Sequence, residues 1–379
     1  MDQAVFILGY AYLGLFFLII VLDVILFHRA KGLQKRLEKK ARSFYESALR
    51  YHPSMLKSDK ERKKYLKRFC ESLNSKSSLS AYSLMLKEWM KRDSLSCKSY
   101  LHELGPAFAL LSTLYVGKRH LSKGYFAYFL SHYEIDISGK GNEETYEFLL
   151  SLTLDKSIYT RENAYRAIVR SEKPELLKKA LIANKSSSIT LNYRLLTETL
   201  LKYPPSLSKE VLSSLLPSFY LYSPNAEVGI INYMRQVSGD YRKASLSLLK
   251  KKGLDKEIKY SLLRYLKKYP LLEAAPYIIA SGNESLKEKD YEMVSVIASV
   301  LSSYPCFDSG VFLLKALVSP SYLARRNAAD SLLAIYPTHA MNLAKKMNDP
   351  YAIDMMKYRS ENLSLSQVTS GEMFPEEEN

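Results

Sequence analysis

Chemistry at a protein surface usually needs imidazoles, thiols, carboxylates or an activated hydroxyl brought together, and this chain offers few at useful spacings. The six histidines (His28, His52, His102, His120, His132 and His339) include no pair four residues apart and no HExxH, so the two-imidazole helix face of a zinc peptidase is missing. Three cysteines, Cys70, Cys97 and Cys306, are an odd number at irregular spacing. They cannot build a disulfide framework or a Cys-only zinc site, and they fit a reducing compartment. No GxxxxGK[ST], no GxGxxG and no GxSxG occurs. Ser206 and Lys209 have the SxxK spacing of a serine–lysine nucleophile, but they follow Tyr203-Pro204-Pro205 at a helix start, where chance or N-capping accounts for Ser206. Glu143-Glu144 and Glu376-Glu377-Glu378 are charge runs rather than a placed acid and base. The expectation is therefore no catalytic, cofactor-binding or metal-binding residue, no cofactor, and a chain that is not an enzyme.

The elements that would position any site are helical. Of 379 residues 47% are hydrophobic and 25% charged, enough for a packed core, while only 14 are glycine, too few for a turn-rich sheet fold. Residues 4–27 (AVFILGYAYLGLFFLIIVLDVILF) contain one ionisable residue, Asp23. As a helix, this run extends about 36 Å, enough to cross a bilayer with some tilt. It opens on Met1-Asp2-Gln3 without a basic leader and runs into a basic flank, so a retained transmembrane helix is expected over a cleaved signal peptide. That flank carries Arg29, Lys31, Lys35, Arg36, Lys39, Lys40 and Arg42, with nothing basic upstream. The positive-inside bias then puts the amino terminus outside and the rest in the cytoplasm, as a single-pass protein of the cell membrane.

The formal charge of +16 is not spread evenly: residues 28–100 hold 20 Lys and Arg against 7 acids, a net of +13. Residues 101–379 hold 35 against 30, a net of only +5. Charge concentrated beside the bilayer predicts anionic lipid headgroups as a partner of the seven flanking bases. It makes a poor footprint for nucleic acid. The reading is a transmembrane helix at 4–27, a basic juxtamembrane segment at 28–56, a helical region at 57–140 that is a domain of its own or a set of degenerate repeats, helix-pair repeats at 141–362, and a disordered acidic tail at 363–379. Within the third region, helices are predicted over 58–73, 79–92, 97–104, 106–117 and 122–133, preceded by one at 43–51.

The second half is punctuated by Tyr-Pro at 203–204, 269–270, 304–305 and 336–337, each closing an apolar helical run. With Gly239 and Pro174 filling the gaps, breaks recur near 174, 204, 237, 270, 305 and 337. A period in the low thirties with two helix-length runs per unit predicts an α-solenoid, because no single unit can bury its own apolar stripe. Proline suits the breaks because it ends one helix and can open the next.

The units resemble the HEAT-repeat family. SPSYLARRNAADSLLAIYP (319–337) has a turn Pro320, then Arg325 or Arg326, then Ala328-Ala329, and 154–169 and 254–270 match with Asp155, Arg161 and Asp255. The units at 217–236 and 283–301 depart by lacking the arginine. The resemblance covers about 141–362 and implies an all-α, right-handed solenoid of stacked antiparallel helix pairs after one transmembrane helix. It further implies that Asp155, Arg161, Asp255 and Arg326 form a structural ladder between repeats. The expected function is a membrane-tethered cytoplasmic scaffold or adaptor that binds a membrane-associated protein, such as an enzyme or signalling complex of the envelope. The alternative is a nucleic-acid-binding, glycosylase-like HEAT protein, whose basic concave face the net of +5 does not supply.

Overall fold

In the computed structural model, the described residues are 2–50, 58–133, 135, 142–185 and 191–371. Among them, the chain is 80% helical with no strand. The first helix, α1 (Asp2–Arg50), is one unbroken element of 49 residues. The predicted transmembrane, juxtamembrane and 43–51 helices are thus a single rod, since its interior has no proline and its flanking lysines, arginines and glutamates are strong helix formers. Its apolar part is long enough to cross a membrane, as a single-pass span or a signal sequence would be, and none of it is buried. Further along the same rod, Ala41 and Ala48 are buried.

The chain divides into two compact units, 1–191 and 192–379. In the first unit α1 is followed by α2 (Asp59–Ser72), α3 (Lys76–Arg92), α4 (Ser94–Glu103), α5 (Gly105–Tyr115), α6 (His120–His132), α7 (Glu143–Thr153), α8 (Ile158–Arg170) and α9 (Pro174–Ala183). They stack in two rows, α1–α3–α6–α8 and α2–α5–α7–α9, with α4 wedged between α3 and α5. The region 57–140 therefore shares its two rows with the helices after 142. Neighbours in a row run the same way: Lys40 Nζ donates to Ser78 Oγ (2.6 Å), and four residues further along both helices Phe44 meets Tyr82 edge-on. The core between the rows is aromatic, with Phe69, Tyr82, Phe108 and Phe129 in mutual ring contact. At Gly124 the approach of α8 to α6 is so close that a Cβ would lie 2.8 Å from Thr160 Oγ1, which is why the row admits no side chain there.

The second unit comprises α10 (Tyr193–Leu200), α11 (Ser208–Leu215), α12 (Pro224–Met234), α13 (Arg242–Leu249), α14 (Lys256–Lys268), α15 (Ala275–Lys287), α16 (Tyr291–Leu301), α17 (Phe307–Leu317), α18 (Tyr322–Ile335), α19 (Ala340–Lys345) and α20 (Pro350–Gly371). The even-numbered helices form one row, α15, α17 and α19 the other, and α13 packs on α14. Every helix-length run read between the predicted breaks is a helix here. The low-thirties period reappears as a contact register: Thr197 Oγ1 donates to the Gly229 carbonyl, Lys267 Nζ to Ser299 Oγ, and Asn327 Nδ2 to the Ser295 carbonyl, each 32 residues apart.

The Tyr-Pro breaks act as rungs. Tyr269 Oη donates to the Arg235 carbonyl (3.2 Å), Tyr304 Oη to the Leu266 carbonyl (3.0 Å) and Tyr336 Oη to the Cys306 carbonyl (3.2 Å). Arg235 and Leu266 lie at the ends of α12 and α14, where helix termination leaves carbonyls without an intrahelical partner, while the Cys306 carbonyl, just before α17, also accepts from the Gly310 N–H. Helix α20 continues to Gly371, into the first residues of the expected acidic tail, without an interior proline. Residues 372–379, with Glu376–Glu378, lie outside the described residues.

Candidate docking surface

The residues expected to form a ladder are placed differently from the reading. Asp155 lies just before α8, where its Oδ1 accepts from the Ser157 N–H (2.8 Å) and its Oδ2 meets His120 Nδ1 at 2.6 Å. The rung from α8 to α6 is therefore made by a histidine, not an arginine. Arg161 is buried and turns back on its own loop, donating from Nη1 to the Asp155 carbonyl (2.8 Å) and the Lys156 carbonyl (3.1 Å). Arg325 does the same to the Ser319 carbonyl (3.2 Å), six residues upstream like Asp155 from Arg161, while Arg326 is exposed. Asp255 is an exposed N-cap that accepts from the Glu257 N–H (2.8 Å). Helix phase explains the difference. These arginines sit in the first turn of their helices, beside the loop carbonyls that need donors.

The charged rungs that do join neighbours in a row were not anticipated. Arg359 of α20 grips Asp330 of α18 through two bonds (Nε–Oδ1 2.6 Å, Nη2–Oδ2 3.2 Å). Lys256 Nζ lies 2.8 Å from Asp290 Oδ2, while Asp290 Oδ1 caps α16 at the Met293 N–H. Residues some thirty apart with opposite charge carried that signal, but many such pairs exist in a 25% charged chain. The Lys256 hydrogen bond holds the Asp290 carboxyl below its ordinary range. A carboxyl lowered on folding contributes stability above its unfolded value of about 3.9 and loses it as pH falls through the folded value. Asp290→Asn keeps the cap and removes the ion pair. It is expected to lower the thermal midpoint at pH 7, with the gap to the parent closing below about pH 4. A gap that stays constant down to pH 3 would refute the assignment.

Of the three free cysteines, Cys70 and Cys97 are buried and Cys306 is exposed. Burial pushes the Cys70 thiol up to about 12 and the Cys97 thiol up to about 11, so neither is a thiolate at neutral pH. Ser206 is exposed in a 3-10 turn and does not cap α11, which leaves chance as the account of its spacing to Lys209. No three His, Cys, Asp or Glu side chains among the described residues are grouped to hold a metal ion.

What the fold does build is a groove beside α1. A cavity of about 620 Å³ is lined by Gln34, Leu37 and Glu38 of α1, Ser80, Ser83 and Lys87 of α3, and Tyr125, Tyr128 and His132 of α6. A second, of about 520 Å³, continues along α1 past Glu38 to Arg42 and Tyr45, against Trp89 and Arg92 of α3. Tyr128 stacks on His132 with ring centroids 5.0 Å apart and leans on Tyr125 at 5.8 Å. The floor is fixed by Tyr133, whose hydroxyl bonds to Ser83, and burial pushes that phenol up to about 12.

Of the seven flanking bases, only Arg42 is among the residues lining this groove. At about 100° per residue, Ala41, Phe44 and Ala48 share one face of α1, while Arg29, Arg36, Lys39 and Lys40 turn away from it. All seven are exposed, Lys31 approaches the Phe27 ring, and the long Lys40 side chain reaches round to Ser78. The sequence could not reveal this groove, since its walls come from helices up to a hundred residues apart.

No family model and no curated protein matches the chain. Among solved structures, a match is found to human deoxyhypusine hydroxylase in complex with glycerol, at 14% identity and a TM-score of 0.26, covering 78% of this chain and 96% of that one. That protein is an enzyme, which corrects the expectation that this chain is not one, and non-catalytic status is not carried forward. At that TM-score the likeness assigns no activity either.

Proposed function

We propose that this protein is a membrane-tethered scaffold that holds a protein partner on its stacked helices. In this reading residues 4–27 are a retained single-pass span of the cell membrane, with the amino terminus outside and the units in the cytoplasm. The helix rows are a right-handed, HEAT-like solenoid, and the exposed bases of α1 nearest the span, such as Arg29 and Lys31, reach anionic headgroups, each contributing about 1 kcal/mol near the surface. The observation that carries the reading is the continuity of α1. From Tyr12 to Phe27 its apolar side chains are exposed, yet the same helix becomes the first member of a packed row. A span joined rigidly to the stack fixes the height and orientation of the stack at the bilayer, which a flexible linker would not do. Stacked helix pairs present large surfaces, and tethering raises the local concentration of a partner in the same membrane.

The test is capture of the full chain from membranes solubilised in mild detergent. A stoichiometric protein partner is expected, and it should be lost when only residues 1–57 are expressed. Recovery of no such partner, or equal recovery with the short form, would overturn the reading.

A further inference from the structure

We propose that the tyrosine-lined groove between α1, α3 and α6 binds an acidic peptide segment of a partner held at the same membrane. The inference rests on the scaffold reading above and names where the partner seats and what its chemistry is. Three observations converge on it. The first is charge. The groove's α1 and α3 walls belong to the stretch 28–100 with net charge +13, its α6 wall does not, and Arg42, Lys87 and Arg92 stand on the α1 and α3 walls. Of its two carboxylates, Glu88 is paired with Lys91 Nζ (3.2 Å), while Glu38 accepts from the neutral Gln34 Nε2 (2.9 Å) and keeps its charge, so the three bases outnumber the acids by a small margin. The remaining field favours an anion.

The second observation is the lining itself. Tyr125, Tyr128 and His132 form a continuous half-exposed aromatic ladder, with Ser80 and Ser83 hydroxyls beside it. Rings of this kind give rigid contact area with little rotamer entropy to lose, and their hydroxyls donate to carboxylates. An acidic segment with apolar or aromatic residues among its acids satisfies both the walls and the field.

Height is the third. Gln34 and Glu38 lie 7 and 11 residues beyond Phe27 on one continuous helix, which is roughly 10 and 16 Å further along it. The headgroup layer occupies only about 5–8 Å on each side of the hydrocarbon. The groove therefore stands clear of lipid, at the level reached by the first ten or so residues after another protein's own span. A lipid phosphate would have to leave its layer to enter it.

The test uses the full chain in native membranes, with a photo-cross-linking phenylalanine analogue in place of Tyr128 and, as a control, in place of Leu272, an exposed residue of the second unit. Adducts from position 128 should map to a segment of another protein with more Asp and Glu than Lys and Arg, and position 272 should not give them. Lys87→Glu combined with Arg92→Glu should cut the yield at least fivefold, as should raising salt from about 50 to 500 mM, because screening shortens the field to a few ångströms. Both side chains are exposed, so the double variant keeps its fold, checked by unchanged circular dichroism. Adducts only with lipid, only with a second copy of this chain, or with a basic segment would overturn the inference, and so would a yield indifferent to charge reversal and salt. Alkaline extraction of the same membranes reads the anchoring separately. Release of the chain there defeats the scaffold reading itself, whereas a retained chain without acidic adducts defeats only the groove.

Discussion

Arginine at both Phe16 and Ile20 is expected to move the protein from the membrane pellet to the soluble fraction after alkaline extraction. The two residues lie one turn apart near the middle of the apolar run and are both exposed, so neither supports the fold of the units. A central arginine costs about 2.5–3.5 kcal/mol on insertion scales, and two add to about 5–7 kcal/mol before the lost phenylalanine and isoleucine are counted. That sum exceeds what the basic flank returns at an anionic surface once salt screens it. The same substitution at Leu272, exposed in the second unit, is expected to leave partitioning unchanged. A doubly charged variant that still resists extraction would show that the apolar length of α1 does not anchor the protein.

Tyr304→Ala is expected to be the most destabilising single change at a Tyr-Pro break. The side chain is 1% exposed, and its hydroxyl donates to the Leu266 carbonyl while accepting from the Leu271 N–H. Truncating a buried aromatic costs about 3–5 kcal/mol. Two backbone groups at the end of α14 would then need new partners. Tyr304→Phe keeps the ring and loses only the hydroxyl, for which about 1–3 kcal/mol is expected. Burial raises the phenol above its ordinary value, so the rung stays neutral and its contribution should not vary between pH 5 and 8, a window quoted from the roughly 10 of free tyrosine. Thermal unfolding of the detergent-solubilised chain followed by far-UV circular dichroism measures both variants. A Tyr304→Ala midpoint indistinguishable from that of Tyr220→Phe, a change at a 62% exposed ring, would end the account of the breaks as rungs.

Much of the helical layout was legible in the residues. The runs between Tyr203-Pro204, Tyr269-Pro270, Tyr304-Pro305 and Tyr336-Pro337 are helices because apolar side chains recur there every three to four residues, and proline bars each run from continuing. The same logic misplaced α1, reading three segments where one rod exists. A change from apolar to basic residues looks like a boundary in composition, although the backbone meets no breaker there.

The approximate places of the helices after α1, the repeat length and the concentration of positive charge next to the apolar run follow from the residues alone, because these depend on neighbours within a few turns. Which carbonyl each break tyrosine caps, why Asp155 meets His120 and not Arg161, and how Gln34, Lys87 and Tyr128 come to face one cavity were decided only by the tertiary structure. Those outcomes depend on the register and rotation of helices against each other, set by packing shape at places such as Gly124, and no local spacing carries that information.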